Sequence, residues 1–65
     1  ILAEEYLASQ IINTLKLSDK PLNPYNIAHT LNEDVHKVTT ALSELTKEER
    51  ITLYGWKDSY PLYTV

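Results

Sequence analysis

The stretch Asp34–Glu49, DVHKVTTALSELTKEE, decides how the rest of the chain is organised. Its apolar residues recur at i, i+3, i+7 and i+10, which is the spacing of one side of a 3.6-residue helix. These residues are Val35, Val38, Leu42 and Leu45. Asp34 is a good N-cap, because its carboxylate can accept from the free N–H groups of the first turn. The pattern predicts a helix near residues 34–48 that buries one face.

A first helix is predicted over residues 2–17. Apolar side chains recur there at i, i+4 and i+8, at Leu7, Ile11 and Leu15. Pro21 ends the segment, because proline biases the residue before it away from the helical region. We expect this helix to be the platform on which the other two helices pack.

A second, shorter helix is predicted over residues 24–31. Asn23 can cap it, and Pro24 suits the first helical position. Asn32 is expected to stop it in the left-handed conformation that glycine usually adopts there. Before it, the segment Lys20-Pro21-Leu22 is expected to be short and extended.

After Arg50 the period becomes strand-like, and a hairpin is predicted over residues 51–65. Gly55, the only glycine, is expected to open the turn. Pro61 lies near the start of the returning strand, where a missing N–H does least harm. We expect one shared core, which includes Leu7, Ile11, Leu15, Ile27, Leu31, Val38, Leu42, Leu45, Ile51 and Leu62, and Tyr25 and Ala28 are also available to it.

The length of 65 residues predicts one domain spanning residues 1–65. A chain of this size buries only about 60% of its unfolded surface, so a partner or a second copy would help to stabilise it. It begins with Ile1 and not with Met, which indicates a piece of a longer protein. Without cysteine or a long apolar run, we expect no disulfide framework, no membrane partner and an intracellular location, in the cytoplasm or nucleus.

The second helix, the third helix and the hairpin together resemble the winged helix-turn-helix superfamily over nearly the whole chain. The fold this implies is mainly α with a small β-hairpin wing. It also implies a stub strand at Leu22 that pairs with the wing, with the Leu22 side chain pointing inward. The resemblance also implies a DNA-binding module in transcriptional regulation, in which the third helix enters the major groove and the wing contacts the backbone.

The final residues, YPLYTV, are similar to the Pro-Pro-aliphatic-Trp ending of the Zα-type domains, which bind left-handed nucleic acid. By this resemblance Pro61 matches a wing proline and Tyr63 stands where the tryptophan would be. Lys37 lies near the place of a phosphate-binding lysine. The chain departs from that family at Thr39 and Ser43, which stand in place of an asparagine and a tyrosine. The aromatic ring that would stack on a syn base is therefore missing.

The polar side of the third helix is the candidate double-stranded DNA surface. Lysine and histidine can meet phosphates there, and hydroxyl groups can meet base edges. With the hairpin lysine, the candidate residues are His36, Lys37, Thr39, Thr40, Ser43, Lys47 and Lys57. The alternative for this face is an ordinary solvated surface. Glu44 lies within it and would repel phosphate, and nine acidic against six basic residues give a formal charge of −3.

Aromatic residues are concentrated in the hairpin, at Tyr54, Trp56, Tyr60 and Tyr63. They can close the bottom of the core, which is the default in so small a domain. Strand alternation instead predicts that some of the rings are exposed, and exposed aromatic rings are typical of protein interfaces. The alternative function is therefore a winged helix for protein contact, as a homodimer or docked on a larger protein.

The sequence gives no support for an enzyme, a cofactor or a metal site. The acidic pairs are sequence neighbours, which do not face each other on a helix, so no opposed acid–base pair is formed. His29 and His36 fall on different predicted helices. The single glycine excludes a glycine-rich phosphate loop.

Overall fold

The computed structural model describes residues 3–65, with side chains from Glu5 onward. Three helices are followed by an antiparallel two-stranded hairpin. The elements are α1 (Ala3–Leu17), α2 (Pro24–Leu31), α3 (Val35–Lys47), β1 (Thr52–Lys57) and β2 (Tyr60–Thr64). This confirms the predicted class, mainly helical with a small β wing, and the order is compatible with a winged helix. Leu2, the predicted start of α1, lies outside the described residues.

Local capping explains where α2 begins and ends. The Asn23 side chain accepts a hydrogen bond from the Asn26 backbone N–H at 2.8 Å, and the Asn26 side chain accepts one from the Asn23 N–H at 3.4 Å. Pro24 occupies the first turn, where a missing N–H breaks no helical bond. Asn32 ends the helix with φ 55° and ψ 47°, the predicted left-handed stop.

The third helix follows after a connection of only three residues. Asp34 caps α3 by accepting a hydrogen bond from the His36 backbone N–H at 3.2 Å, as its position in the sequence predicts. The helix ends at Lys47, one residue before the predicted boundary, and Glu48 is its C-cap. The chain then reverses through Glu49, whose φ is 60°.

The core lies where the three helices meet. Its fully or nearly fully buried members are Ala8, Ile11, Leu15, Ile27, Ala28, Val38, Leu42, Leu45 and Ile51. Leu7 and Leu31, also predicted for the core, are half-buried and pack against it. All three helices therefore bury the faces that their apolar spacing predicts. The described residues contain no buried polar side chain, so the core depends on apolar packing.

The prediction that Leu62 joins the core was wrong, and Tyr63 packs there instead. Leu22 and Tyr63 exchange two backbone hydrogen bonds of 3.0 and 2.8 Å, which forms the predicted stub strand. Successive strand residues point to opposite faces. Because Tyr63 is turned towards the core beside Leu22, Leu62 is directed away from it.

The prediction that Gly55 opens the hairpin turn was also wrong. Gly55 lies within β1 and pairs with Leu62. The turn is formed by Asp58 and Ser59, with φ of 51° and 70°. Two consecutive positive φ values are typical of a tight hairpin turn whose twist matches the strands. The register shifts between Leu53 and Gly55, which leaves Tyr54 as the bulged residue of β1.

Candidate nucleic-acid interface

The polar face of α3 is open to solvent along its length. Its inner side is anchored by Val38, Leu42 and Leu45, all buried. The side chains predicted to face a ligand are exposed: His36, Lys37, Thr39, Thr40, Ser43 and Lys47. The structure therefore leaves this part of the candidate set on one accessible helix, with α1 and α2 packed behind it.

The hydroxyl groups on this face are not equivalent. The Thr39 hydroxyl donates to the Val35 carbonyl at 2.8 Å, and the Thr40 hydroxyl donates to the His36 carbonyl at 2.9 Å. A hydroxyl has one O–H donor, so both threonines keep only acceptor capacity for a ligand. Among the described residues, the Ser43 hydroxyl makes no such bond. It is the hydroxyl of the three that can donate outward.

Among the described side chains, none forms an ion pair with the lysines of α3 and the hairpin. In residues described by the structure, the one ion pair joins Arg50 to Glu48 at 3.6 Å, between two exposed side chains. Lys37, Lys47 and Lys57 thus have no carboxylate of residues 5–65 at ion-pair distance, although the protein as a whole is acidic. Their exposed ammonium groups can bind an external anion.

Acidic side chains nevertheless share the surface with these lysines. His36, Lys37 and Thr40 border a groove towards α1, and Glu44 lies on the same border. Lys57 is on a separate element, at the end of β1, and the hairpin packs through β2 on α1 and α2. The structure therefore groups the α3 residues and leaves Lys57 apart from them.

The hairpin aromatics divide between core and solvent. Tyr54 and Trp56 are 67% and 66% exposed, and Tyr60 is also exposed. Tyr63 is half-buried and packs against the core. Of the four hairpin aromatics, Tyr63 alone covers the core.

Tyr25, which was expected to be available to the core, is exposed instead. Its ring meets the ring of Tyr60 edge to face, with centroids 5.4 Å apart and planes at 87°. Such pairs stabilise by about 0.5–1.5 kcal/mol beyond the area they bury. This contact joins the start of α2 to the start of β2.

No metal site and no membrane span are found in the described part of the chain. Between Glu5 and Val65, no three His, Asp or Glu side chains come together as metal ligands would. The helices of residues 3–65 are too short or too polar to cross a bilayer. Comparisons with protein-family models, with curated proteins and with solved structures each returned no match.

Proposed function

We propose that this domain is a winged-helix module that binds double-stranded DNA, in transcriptional regulation. In this proposal α3 lies in the major groove and the β1–β2 hairpin contacts the backbone. The observation that supports it most is the exposure of Lys37, Lys47 and Lys57, none of which has an ion-pair partner among the described side chains. Such a role belongs in the compartment that holds the nucleic acid, the cytoplasm or the nucleus.

The lysines and the hydroxyls have different roles in this proposal. Lysine ammonium groups bind phosphates, which are the same in every sequence. Ser43 and the threonine oxygens would each make a single hydrogen bond to a base edge. Such a bond discriminates among bases less well than the bidentate contacts of arginine or asparagine. The face of α3 carries neither of those two residues. The proposed binding is therefore strongly salt-dependent and only weakly selective for sequence.

Glu44 provides a direct test, because it places a negative charge on the proposed phosphate-facing side. Glu44→Gln is expected to strengthen duplex binding several-fold, since a like charge about 4 Å from a phosphate costs about 1 kcal/mol even in water. Fluorescence anisotropy with a labelled duplex at 0.1 M salt measures the change.

The matched control for this test is Glu49→Gln, which removes the same charge from an exposed residue beyond the end of α3. We expect Glu49→Gln to increase duplex affinity much less than Glu44→Gln does. Equal gains for the two variants would show that only net charge matters. Measurable wild-type binding with no response to Glu44→Gln would rule out the placement of α3 against the duplex.

The exposed rings of Tyr54 and Trp56 favour a second candidate function, contact with a protein. Exposed aromatic rings are enriched in protein interfaces, where they become buried anchors. The partner in this candidate is a second copy of the chain or a larger protein. Protein contact requires no nucleic acid, and the excess of acidic residues does not disfavour it.

Sedimentation equilibrium tests the homodimer version of this candidate. A concentration-dependent dimer is expected, and Trp56→Ala should weaken its association about tenfold or more, as removal of an aromatic anchor does. Leu17→Ala, which shortens an exposed residue on α1, is the control and should leave association unchanged. A stable monomer at high concentration would exclude the homodimer.

A further inference from the structure

An open groove runs between the first half of α1 and the adjoining side of α3. Its volume is about 820 Å³, within the range of about 300–1,000 Å³ for sites that bind ligands. We call it the α1–α3 groove. Its borders are formed by Glu5 to Ala8 on one side and by α3 with its flanking residues, from Glu33 to Arg50, on the other.

The floor of the α1–α3 groove is apolar. Ala8 and Leu45 are buried at its base, and Leu7 and Ala41 are half-buried beside them. Tyr6 stands at its edge with 61% of its surface exposed. Because the side chains of Ala8 and Ala41 are short, the groove is deep enough for an apolar side chain of a ligand to enter between the two helices.

The rim of the groove is mainly acidic. Its carboxylates belong to Glu5, Glu33, Glu44 and Glu48, and its permanent cations are Lys37 and Arg50. Arg50 already lies 3.6 Å from Glu48. An apolar ligand that carries positive charge at its margins would therefore match both the floor and the rim.

The spacing of these acids favours an extended ligand over a small cation. Glu33 precedes α3, and Glu44 lies nine residues after its first residue, which is about 13 Å along the helix at 1.5 Å per residue. Glu48 lies about one turn beyond Glu44. The acids are not gathered into a metal-binding group anywhere in the described residues. A ligand that meets them all must be extended, with its positive charges spread over three or more helical turns.

We propose that the α1–α3 groove binds a basic amphipathic helix from a partner protein. The apolar side of that helix, with anchors at i, i+3, i+4 and i+7, would lie on the floor of the groove, which is a common way for proteins to recognise helices. Lysine and arginine residues on its flanks would meet the glutamates of the rim. The bound helix would also cover His36, Lys37 and Thr40, so it would compete with a duplex for α3.

A synthetic probe peptide of about 14 residues tests this proposal. It carries leucine at i, i+3, i+4 and i+7 and lysine on its flanks, and a scrambled peptide of the same composition is the reference. Isothermal titration calorimetry with the intact 65-residue chain is expected to show at least tenfold tighter binding of the amphipathic peptide. Backbone chemical shifts should move in the first half of α1 and along α3.

Two comparisons distinguish binding in the groove from nonspecific charge attraction: one is between two double charge variants, and the other is between two tyrosine variants. Glu33→Gln with Glu44→Gln is expected to weaken peptide binding about tenfold. Glu49→Gln with Asp58→Asn changes the net charge equally outside the groove and should change binding less than twofold. Tyr6→Ala is expected to weaken binding several-fold, whereas Tyr25→Ala, an exposed tyrosine on α2, should have little effect.

Four outcomes would overturn the proposal. Equal binding of the scrambled peptide, or equal effects of the two charge pairs, would show charge attraction without a groove. Shifts confined to the hairpin aromatics would place the peptide elsewhere. A dimer of the free chain that buries Tyr6 and the α3 side of the groove would identify a second copy as the occupant.

Discussion

Leu42→Ala is expected to lower the free energy of unfolding by about 2–5 kcal/mol. Leu42 is 0% exposed and lies in the core where the inner side of α3 meets α1 and α2. Truncation removes apolar contact and leaves a cavity that the helices cannot fully close. A domain of this length has a total stability of roughly 3–10 kcal/mol, so this loss is a large share of the total and should lower the melting temperature by about 10 °C or more.

Thermal and urea unfolding followed by circular dichroism measures this effect. The matched control is Leu17→Ala, which removes the same atoms from a side chain that is 80% exposed. Surface changes of this kind usually stay within about 0.5 kcal/mol. Similar losses for the two variants, or a Leu42→Ala protein as stable as wild type, would contradict the assigned core.

The combined change of Lys37→Ala and Lys47→Ala is expected to weaken duplex binding about sixtyfold at 0.1 M salt. Each phosphate contact contributes about 0.9 to the salt exponent, so losing one at that salt concentration lowers the binding constant about eightfold. Both lysines are exposed on α3 and lack an internal carboxylate partner in the described structure. The loss should be nearly independent of the DNA sequence and should shrink as salt is raised.

The control for this pair is Lys16→Ala with Lys20→Ala, which removes two exposed lysines from the end of α1 and the segment after it. We expect a several-fold effect at most from this control, through net charge. If the control weakens binding as much as the α3 pair does, the duplex is not held on α3.

The helices were predictable because their signals are local. Asn23, Asp34 and Asn32 act through hydrogen bonds or backbone angles within a few residues, and each has the predicted role. The inner face of α3 follows from spacing alone, because residues three and four apart share one side of a helix. The exposed face of α3 was predictable for the same reason.

The hairpin was less predictable because its details depend on non-local pairing. The pairing of Leu22 with Tyr63 sets which side of β2 meets the core, and a shift of one residue exchanges Tyr63 with Leu62. Asp58 and Ser59 adopt positive φ in place of glycine. Tyr25 lies outside the core, where its ring packs on that of Tyr60, far away in sequence.

The chemistry of the α3 surface was only partly visible in the sequence. Threonine can return its O–H to the carbonyl four residues earlier, and both Thr39 and Thr40 do so. The α1–α3 groove depends on how the two helices cross, which no local pattern gives. Ala8 and Ala41, small residues on facing helices, are the one signal that pointed to it.

Duplex binding measured from 0.05 to 0.5 M salt tests the proposed role of α3 and the hairpin most directly. If Lys37, Lys47 and Lys57 each meet a phosphate, log K should fall linearly with log salt with a slope of about −3. Any one lysine-to-alanine change should reduce the slope by about one. No measurable binding at the lowest salt, or a slope that none of these changes alters, would contradict the proposal that this surface binds DNA.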